Sequence, residues 1–170
     1  FTPSAVGGAV HGGVSAGDGN MTININTNGL VTFNGNIQFI NTGTGTTARN
    51  LTFGGNGDVV VNGDYIPLGT PAHALVKGGT GTFAFNSSAS THTGATTINA
   101  GNLSFSNVGG FASTSQINIG NATTTSGALT YTGEAATLSR TINLNTTTAS
   151  VYLNANGTGP LTINGTISRS

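Results

Sequence analysis

Charge is the scarcest property of this 170-residue chain, which holds four Lys and Arg, four Asp and Glu, and no net charge at pH 7. Charged residues make up 5% of the sequence, whereas they are about a quarter of an average soluble domain. A nucleic-acid-binding surface needs clustered cations to neutralise phosphates, so we expect no nucleic-acid partner. A helical bundle is excluded as well, because such bundles are rich in Glu and Glu134 is the only one here.

Cysteine and long apolar runs are also missing. Without Cys the chain forms no disulfide and no thiolate metal site. Many cytosolic domains lack Cys too, so this absence favours an extracellular location only slightly. No run approaches the roughly 20 apolar residues that a membrane-spanning helix requires, and we therefore expect no membrane insertion by this segment.

The chain is instead rich in Gly, with 28 residues, and in uncharged polar side chains. One phrase recurs: Gly, any residue, apolar, small polar, apolar, then Asn, Ser, Thr or Gly. It reads GLVTFNG from Gly29, GDVVVNG from Gly57 and GPLTING from Gly159. Alternation with a period of two indicates short strands with one buried face.

The spacing of the phrase decides between two all-β folds. Asn-Gly after a strand is a strong hairpin signal, which would fit an antiparallel sandwich. However, Gly57, Gly81, Gly101 and Gly127 begin copies about 20 to 26 residues apart, and a second strand set lies between them. We predict a right-handed parallel β-helix (β-solenoid) with rungs of about 20–28 residues, ahead of the sandwich.

The turn that follows the phrase is predicted from its Asn-Gly pairs. Both residue types tolerate positive φ, so the chain is expected to turn sharply there. The turn residues predicted in this way are Asn34, Gly35, Asn62, Gly63, Asn164 and Gly165.

The parallel stack also accounts for the composition. Each residue lies over its equivalent in the preceding rung, which penalises like charges and favours Thr, Ser and Asn that hydrogen-bond along the axis.

The stretch from Leu75 to Phe105 closely resembles the autotransporter-associated β-strand repeat, also called the passenger-associated transport repeat. The positions that carry the resemblance are Lys77, Gly79, Gly81, Thr82, Thr93, Gly94, Thr96, Ile98, Gly101 and Leu103. Phe83 and Phe85 depart from the usual Leu pair, and His92 stands where Tyr is common. The resemblance implies a right-handed β-helical segment of a large secreted or surface-displayed bacterial protein, in which the repeat assists folding and carries no catalytic residues.

The domain organisation follows from where the repeat starts. Residues 1–18 lack it and are predicted to form an N-terminal arm or cap, whereas residues 19–170 form the solenoid. The C-terminal sequence ends directly after a fresh copy, LTINGTIS, without a charged cap. An uncapped rung exposes backbone donors and acceptors. We therefore expect either neighbouring rungs of a longer chain or head-to-tail self-association.

The residues with catalytic or ligand-binding chemistry form no convincing constellation. Gly13–Gly17 reads G-x-S-x-G, but no helical pattern follows it. Asp58 and Asp64 flank one strand, and two carboxylates are too few for calcium. His92 is expected to pack at the surface. We predict no catalytic, cofactor-binding or metal-binding residues.

Three functions remain, in this order. The first is an extracellular structural β-solenoid of a bacterial surface protein, serving as a fibre subunit or rod segment that stacks end to end. The second is an adhesin passenger that binds a surface glycan, for which the outward-facing Tyr152 is a candidate while Tyr131 faces inward. The third is a polysaccharide-active enzyme that uses carboxylates distant in sequence.

Overall fold

The computed structural model describes residues 10–12, 20–39, 47–67, 69–121, 126–146 and 149–169. Within these ranges every strand pairing is parallel. Each strand pairs with a strand of a neighbouring coil, and the interior strands of the two long sheets pair with both the preceding and the following coil. The chain is therefore the predicted β-solenoid, and the described ranges contain none of the antiparallel hairpins that a sandwich requires.

The strands are short because each one spans a single side of a coil. In chain order they are β1 (Val10–Gly12), β2 (Met21–Asn24), β3 (Val31–Phe33), β4 (Ile37–Phe39), β5 (Asn50–Gly54), β6 (Val59–Val61), β7 (Ala74–Lys77), β8 (Thr82–Phe85), β9 (Thr96–Ile98), β10 (Gly101–Phe105), β11 (Ile117–Ile119), β12 (Gly127–Tyr131), β13 (Ala136–Leu138), β14 (Ile142–Leu144), β15 (Val151–Ala155), β16 (Leu161–Ile163) and β17 (Ile167–Arg169). A 3₁₀ helix, Val108–Phe111, lies between β10 and β11.

Two long sheets form two sides of the coil. Sheet 1 has seven strands in the order β2, β5, β7, β9, β11, β14 and β17. Sheet 2 has six strands in the order β3, β6, β8, β10, β12 and β15. The third side is irregular, with the pairs β1–β4 and β13–β16. The right-handed sense of the coil stays a prediction, supported by the general rule for parallel crossovers.

The register explains why the apolar residues alternate. In sheet 1 Leu51 pairs with Leu75, and Leu75 pairs with Thr96, so inward positions lie over inward positions. In sheet 2 the inward rings of Phe105 and Tyr131 stack at 5.0 Å between centroids. Each fully buried side chain of this size stabilises the fold by about 1.5–3 kcal/mol. The core is thus a set of columns along the axis.

The predicted N-terminal arm is described only at Val10–Gly12. That strand pairs in parallel with β4 of the same chain, with Val10 opposite Ile37. This part of the arm therefore adds a strand to its own solenoid. The remainder of residues 1–18 lies outside the described ranges, and the boundary at residue 18 stays a prediction.

A search of the described ranges for helices long and apolar enough to cross a membrane found none.

Candidate functional site

Glycines of the predicted repeat form one corner of the solenoid, between sheets 1 and 2. Gly79 and Gly101 have positive φ, at 73° and 69°, a conformation that suits Gly. At Gly81 the constraint is space, because a Cβ there would overlap the carbonyl oxygen of Gly57 in the preceding rung. Side chains are therefore excluded where successive corners lie against each other.

The other residues predicted from the repeat pack the same two rungs. Ile98 and Leu103 are fully buried. A Cβ at Gly94 would lie 2.5 Å from the carbonyl oxygen of His73. The backbone N–H of Thr82 donates to Asp58 Oδ1 at 2.7 Å. All of these contacts join neighbouring rungs.

The Asn-Gly pairs turn the chain, but the predicted reason is wrong at their glycines. Gly35, Gly63 and Gly165 are not among the residues with positive φ, and close approach is the constraint at two of them. A Cβ at Gly63 would overlap the Gly35 carbonyl, and a Cβ at Gly165 would overlap the Arg140 carbonyl. Among described glycines, positive φ occurs at Gly55, Gly69, Gly79, Gly101 and Gly120.

Two asparagines of these pairs, Asn34 and Asn62, belong to a hydrogen-bonded ladder along the axis. Asn62 Nδ2 donates to Asn34 Oδ1 at 2.9 Å, and Asn86 Nδ2 donates to Asn62 Oδ1 at 3.1 Å. Ser106 Oγ continues the ladder by donating to Asn86 Oδ1 at 3.1 Å. The predicted stacking of uncharged polar residues is thus present at this edge of sheet 2.

A second ladder runs along the outer face of sheet 1. Asn118 Nδ2 donates to Thr97 Oγ1 at 3.3 Å, and Asn143 Nδ2 donates to Asn118 Oδ1 at 3.1 Å. Ser168 Oγ then donates to Asn143 Oδ1 at 2.5 Å. This ladder reaches the last strand, β17, so its final hydroxyl lies at the end of the stack.

Lys77 is a cation in an otherwise apolar inward column. It pairs with Phe53 on one side and Ile98 on the other, and it is 3% exposed. Its Nζ donates to the carbonyl oxygens of Gly78 at 2.6 Å and Gly79 at 2.8 Å, and to that of Ala100 at 3.4 Å. The ammonium therefore leaves the core and binds the corner carbonyls of two successive rungs.

The buried position of Lys77 changes the pKa of its ammonium group. Burial lowers the pKa of Lys77 to about 8, and the Asp58 carboxylate acts in the opposite direction. Sequence reasoning placed Lys77 in the repeat without a structural role. The available signal was its parity, because Lys77 lies two residues after Leu75 and therefore faces the same side.

His92 is buried inside the third side of the coil, so the expected surface position was wrong. The ring is 0% exposed, its Nε2 lies 2.9 Å from Thr96 Oγ1, and Nδ1 has no partner within the described ranges. It packs 5.3 Å from the Tyr65 ring, between centroids. Burial lowers the pKa of His92 to about 4, so the imidazole is neutral at pH 7.

The two carboxylates near β6 both bind the next rung. Beside the Asp58 contact already described, Asp64 Oδ1 accepts from Ser87 Oγ at 2.6 Å and from the backbone N–H groups of Ser88 and Ala89 at 3.0 and 2.9 Å. Burial alone would raise the pKa of Asp64, but these hydrogen bonds hold it below its ordinary value. Both acids therefore stabilise turns. The Gly13–Gly17 motif lies outside the described ranges.

A small cleft of about 160 Å³ lies between the 3₁₀ helix and β13. Phe111 and Leu138 line it together with Arg140. The Arg140 guanidinium donates to the carbonyl oxygens of Thr114, at 3.2 Å, and of Ala112. Arg140 therefore binds backbone carbonyls of the preceding rung.

The last rung exposes side chains whose equivalents in the interior rungs are buried. Leu153 pairs with the fully buried Leu129 yet is 37% exposed, and Ile167 pairs with the fully buried Ile142 yet is 50% exposed. β15 and β17 are the terminal strands of their sheets among the described residues. This end of the solenoid, formed by β15, β16 and β17, is called the open rung below.

The corner glycines, the inward apolar pairs and the buried Lys77 all fall within one segment. Residues 75–105 match the passenger-associated transport repeat. The match runs from β7 to the end of β10, the two rungs whose contacts are described above. Comparisons with curated proteins and with solved structures gave no match.

The transport repeat and the β-solenoid together fit a passenger-like β-helix of a bacterial autotransporter. The described geometry explains the residues of the repeat in physical terms. Its glycines allow corners to touch, its apolar pairs fill the core, and its Lys binds corner carbonyls. These contacts make the repeat a unit that holds one rung to the next.

Proposed function

We propose that this chain is a non-enzymatic rod segment of an extracellular, passenger-like bacterial protein, and that it stacks end to end as a fibre subunit. The transport repeat supports the passenger-like origin and the secreted or surface location. The open rung supports the stacking. Stacking of one end on the other is a heterologous contact, which propagates into an open-ended fibre.

The exposure of the open rung is the observation that carries this proposal. Ile167 and Leu153 face inward by register, and within the described ranges no further strand lies over them. An uncovered strand edge also presents unpaired N–H and C=O groups. A following rung would bury these side chains and pair the edge.

A second copy fits this end in register. Sheet 1 begins with β2, whose inward Met21 and Ile23 are only half-buried. Continuing the ladder of sheet 1 places the second copy's Met21 on Ile167 and its Thr22 on Ser168. Apolar residues then cover apolar residues, and the polar ladder gains another hydroxyl.

The same stacking leaves one strand position of sheet 2 between β15 and the second copy's β3. Sheet 2 has six strands where sheet 1 has seven, so the two sheets do not end at the same level.

Light scattering coupled to size exclusion, together with negative-stain electron microscopy, tests the proposal on the 170-residue chain. Assemblies that grow with protein concentration, and rods one solenoid wide, are expected. Ile167→Lys should abolish them, because it places a cation in the apolar contact. Thr162→Lys is the matched control, since Thr162 is exposed between the inward positions of β16.

Two results would contradict the stacking proposal. One is a wild-type chain that stays monomeric at every concentration. The other is equal loss of assembly in Ile167→Lys and Thr162→Lys, which would indicate a general effect of charge.

An adhesive role is the second candidate, and the exposure of Tyr152 favours it. This ring is 51% exposed on the outer face of sheet 2, and exposed aromatic rings provide flat apolar surfaces with a polar edge. A glycan-array screen should then show specific binding that Tyr152→Ala removes. Binding retained in Tyr152→Ala would exclude this surface.

A further inference from the structure

His92 closes a segment of the third side that contains no strand. Residues 86–95 connect β8 to β9, and the His92 ring packs against the rings of Tyr65 and Phe85, 5.3 and 6.4 Å away between centroids. None of the three side chains is more than 1% exposed. Described strands cover this rung on both sides, so the burial is a property of the interior of the solenoid.

A chain of hydroxyl groups fixes which nitrogen of His92 carries the proton. The Thr114 hydroxyl donates to the Gly94 carbonyl oxygen at 2.7 Å, so its oxygen accepts from the Thr96 hydroxyl at 3.2 Å. Thr96 Oγ1 in turn accepts from Nε2 of His92 at 2.9 Å. The neutral ring therefore carries its proton on Nε2, and Nδ1 is left as an acceptor.

A second proton on His92 would have no acceptor in the folded coil. It would bind Nδ1, which is buried and has no hydrogen-bond partner within the described ranges. A buried donor without an acceptor is costly, and a buried cation without a partner costs more. The folded segment therefore excludes the protonated ring, whereas water accepts it.

The neighbouring charged groups do not compensate such a proton. Those on the elements packed around His92 include Arg49, Asp64, Tyr65, His73, Lys77 and Arg140. Asp64 is the carboxylate among them, and its Oδ1 already accepts three hydrogen bonds from residues 87–89. Burial raises the pKa of Tyr65, so its phenol stays neutral. The others are cations, or lie beside one as His73 does beside Arg49, and they oppose a further positive charge.

The segment can open without unpairing either long sheet. β8 has β6 and β10 as its neighbours, and β9 has β7 and β11, and none of these pairings involves residues 86–95. The first part of the segment stays bound in mild acid, because hydrogen bonds hold the pKa of Asp64 below its ordinary value despite its burial.

The second part, residues 90–95, has fewer contacts with the preceding rung. The Thr91 N–H donates to the Tyr65 carbonyl oxygen at 3.1 Å, and the Gly94 N–H donates to the His73 carbonyl oxygen at 2.9 Å. The Tyr65 N–H donates to the hydroxyl of the first residue of this part at 2.9 Å. The buried His92 ring lies between these contacts in the sequence, so its release and theirs are coupled.

We propose that His92 is an acid-sensitive latch: a proton taken up from water at Nδ1 releases residues 90–95 from the coil while both long sheets stay paired. The released segment uncovers the rings of Tyr65 and Phe85, so acid exposes an apolar surface on the third side. The latch is independent of the proposed stacking, because none of its contacts involves the open rung.

Hydrogen exchange of the Thr91 and Gly94 amides measures the opening. The pKa of His92 is about 4 in the closed segment and about 6.5 in water. After correction for intrinsic exchange rates, the opening constant should therefore rise about 20-fold between about pH 7 and pH 5. In His92→Phe the rise should be less than about twofold, because the segment then takes up no proton when it opens.

The amides of Asn86 and Asn99 are the controls for unfolding of the whole solenoid. They follow β8 and β9 and donate to the preceding rung within the two sheets. Their exchange should be slower at both pH values and should accelerate in low concentrations of urea. Exchange of Thr91 and Gly94 should not respond to urea, because a local opening exposes little surface.

Two results would contradict the latch. One is an equal urea dependence and an equal rate for all four amides in the wild-type chain, which would show that residues 90–95 open only with the sheets. The other is the same rise with acid in His92→Phe as in wild type.

Nitrogen NMR of the His92 ring tests the hydrogen-bond chain separately. At neutral pH the ring should be protonated at Nε2 and bare at Nδ1. A ring protonated at Nδ1 would reverse the direction of the chain through Thr96, and it would overturn the argument that a second proton lacks an acceptor.

Discussion

Acid is expected to destabilise the solenoid through His92. The ring is buried, 5.3 Å from Tyr65 and 6.4 Å from Phe85 between centroids, and burial lowers the pKa of His92 to about 4. In the unfolded chain this pKa is about 6.5. Between these two values the unfolded chain binds a proton that the folded chain does not. As the pH is lowered through this interval, the free energy of unfolding therefore falls by about 1.4 kcal/mol per pH unit, or about 3 kcal/mol in total.

The neighbouring titratable groups do not obscure this window. Hydrogen bonds hold the pKa of Asp64 below its ordinary value despite its burial, so the stability it contributes is lost only at more acidic pH. Burial, together with repulsion from Arg49, lowers the pKa of His73. His73 therefore acts in the same direction as His92, and its contribution is common to the wild type and to variants of His92.

Urea denaturation followed by circular dichroism, from about pH 7 to pH 4, measures the effect. His92→Phe retains a ring and removes the titrating nitrogen, so its stability should fall by about 3 kcal/mol less than that of wild type over this range. The comparison uses the slope of the free energy of unfolding against pH. Loss of the hydrogen bond to Thr96 in the variant lowers stability by the same amount at every pH and does not change this slope. Parallel slopes for the two proteins would refute the reasoning.

Two further substitutions test the packing of the transport repeat. Gly81→Ala should lower the free energy of unfolding by more than about 2 kcal/mol, because its Cβ overlaps the Gly57 carbonyl. Gly78→Ala is the control and should cost far less, since its Cβ would lie 3.8 Å from the nearest atom. Equal losses in the two variants would contradict the argument that side chains are excluded at this corner. Phe83→Ala should cost about 3–5 kcal/mol, since Phe83 is fully buried, whereas Tyr152→Ala on the outer face should change stability by less than about 0.5 kcal/mol; both are measured by urea denaturation.

The parallel solenoid could be predicted from sequence because its two main signals are local. Alternation in GLVTFNG and GDVVVNG identifies strands and their buried faces, and the spacing of their copies identifies coils. Both signals depend on backbone geometry that repeats from rung to rung. Tyr131 and Tyr152 show how far this reasoning reaches, since the first is buried and the second exposed, as parity predicts.

The prediction failed where the chain leaves the strands. The segment before β9 has no alternation, so nothing in the sequence places His92 inside the coil. The glycines of the Asn-Gly pairs were assigned positive φ from local preference, yet at Gly63 and Gly165 contact with another rung is what excludes a side chain. Such contacts join residues more than 20 positions apart, and a local pattern does not contain them.

The scarcity of charge connects the interior of the solenoid to its open rung. Proteins usually protect edge strands with charged residues, Lys above all, or with Pro, which prevent pairing with a second chain. A stack of equivalent positions disfavours that protection, since like charges in neighbouring rungs repel. The final rung accordingly carries one charged residue, Arg169, so charge protects its edge at only one position.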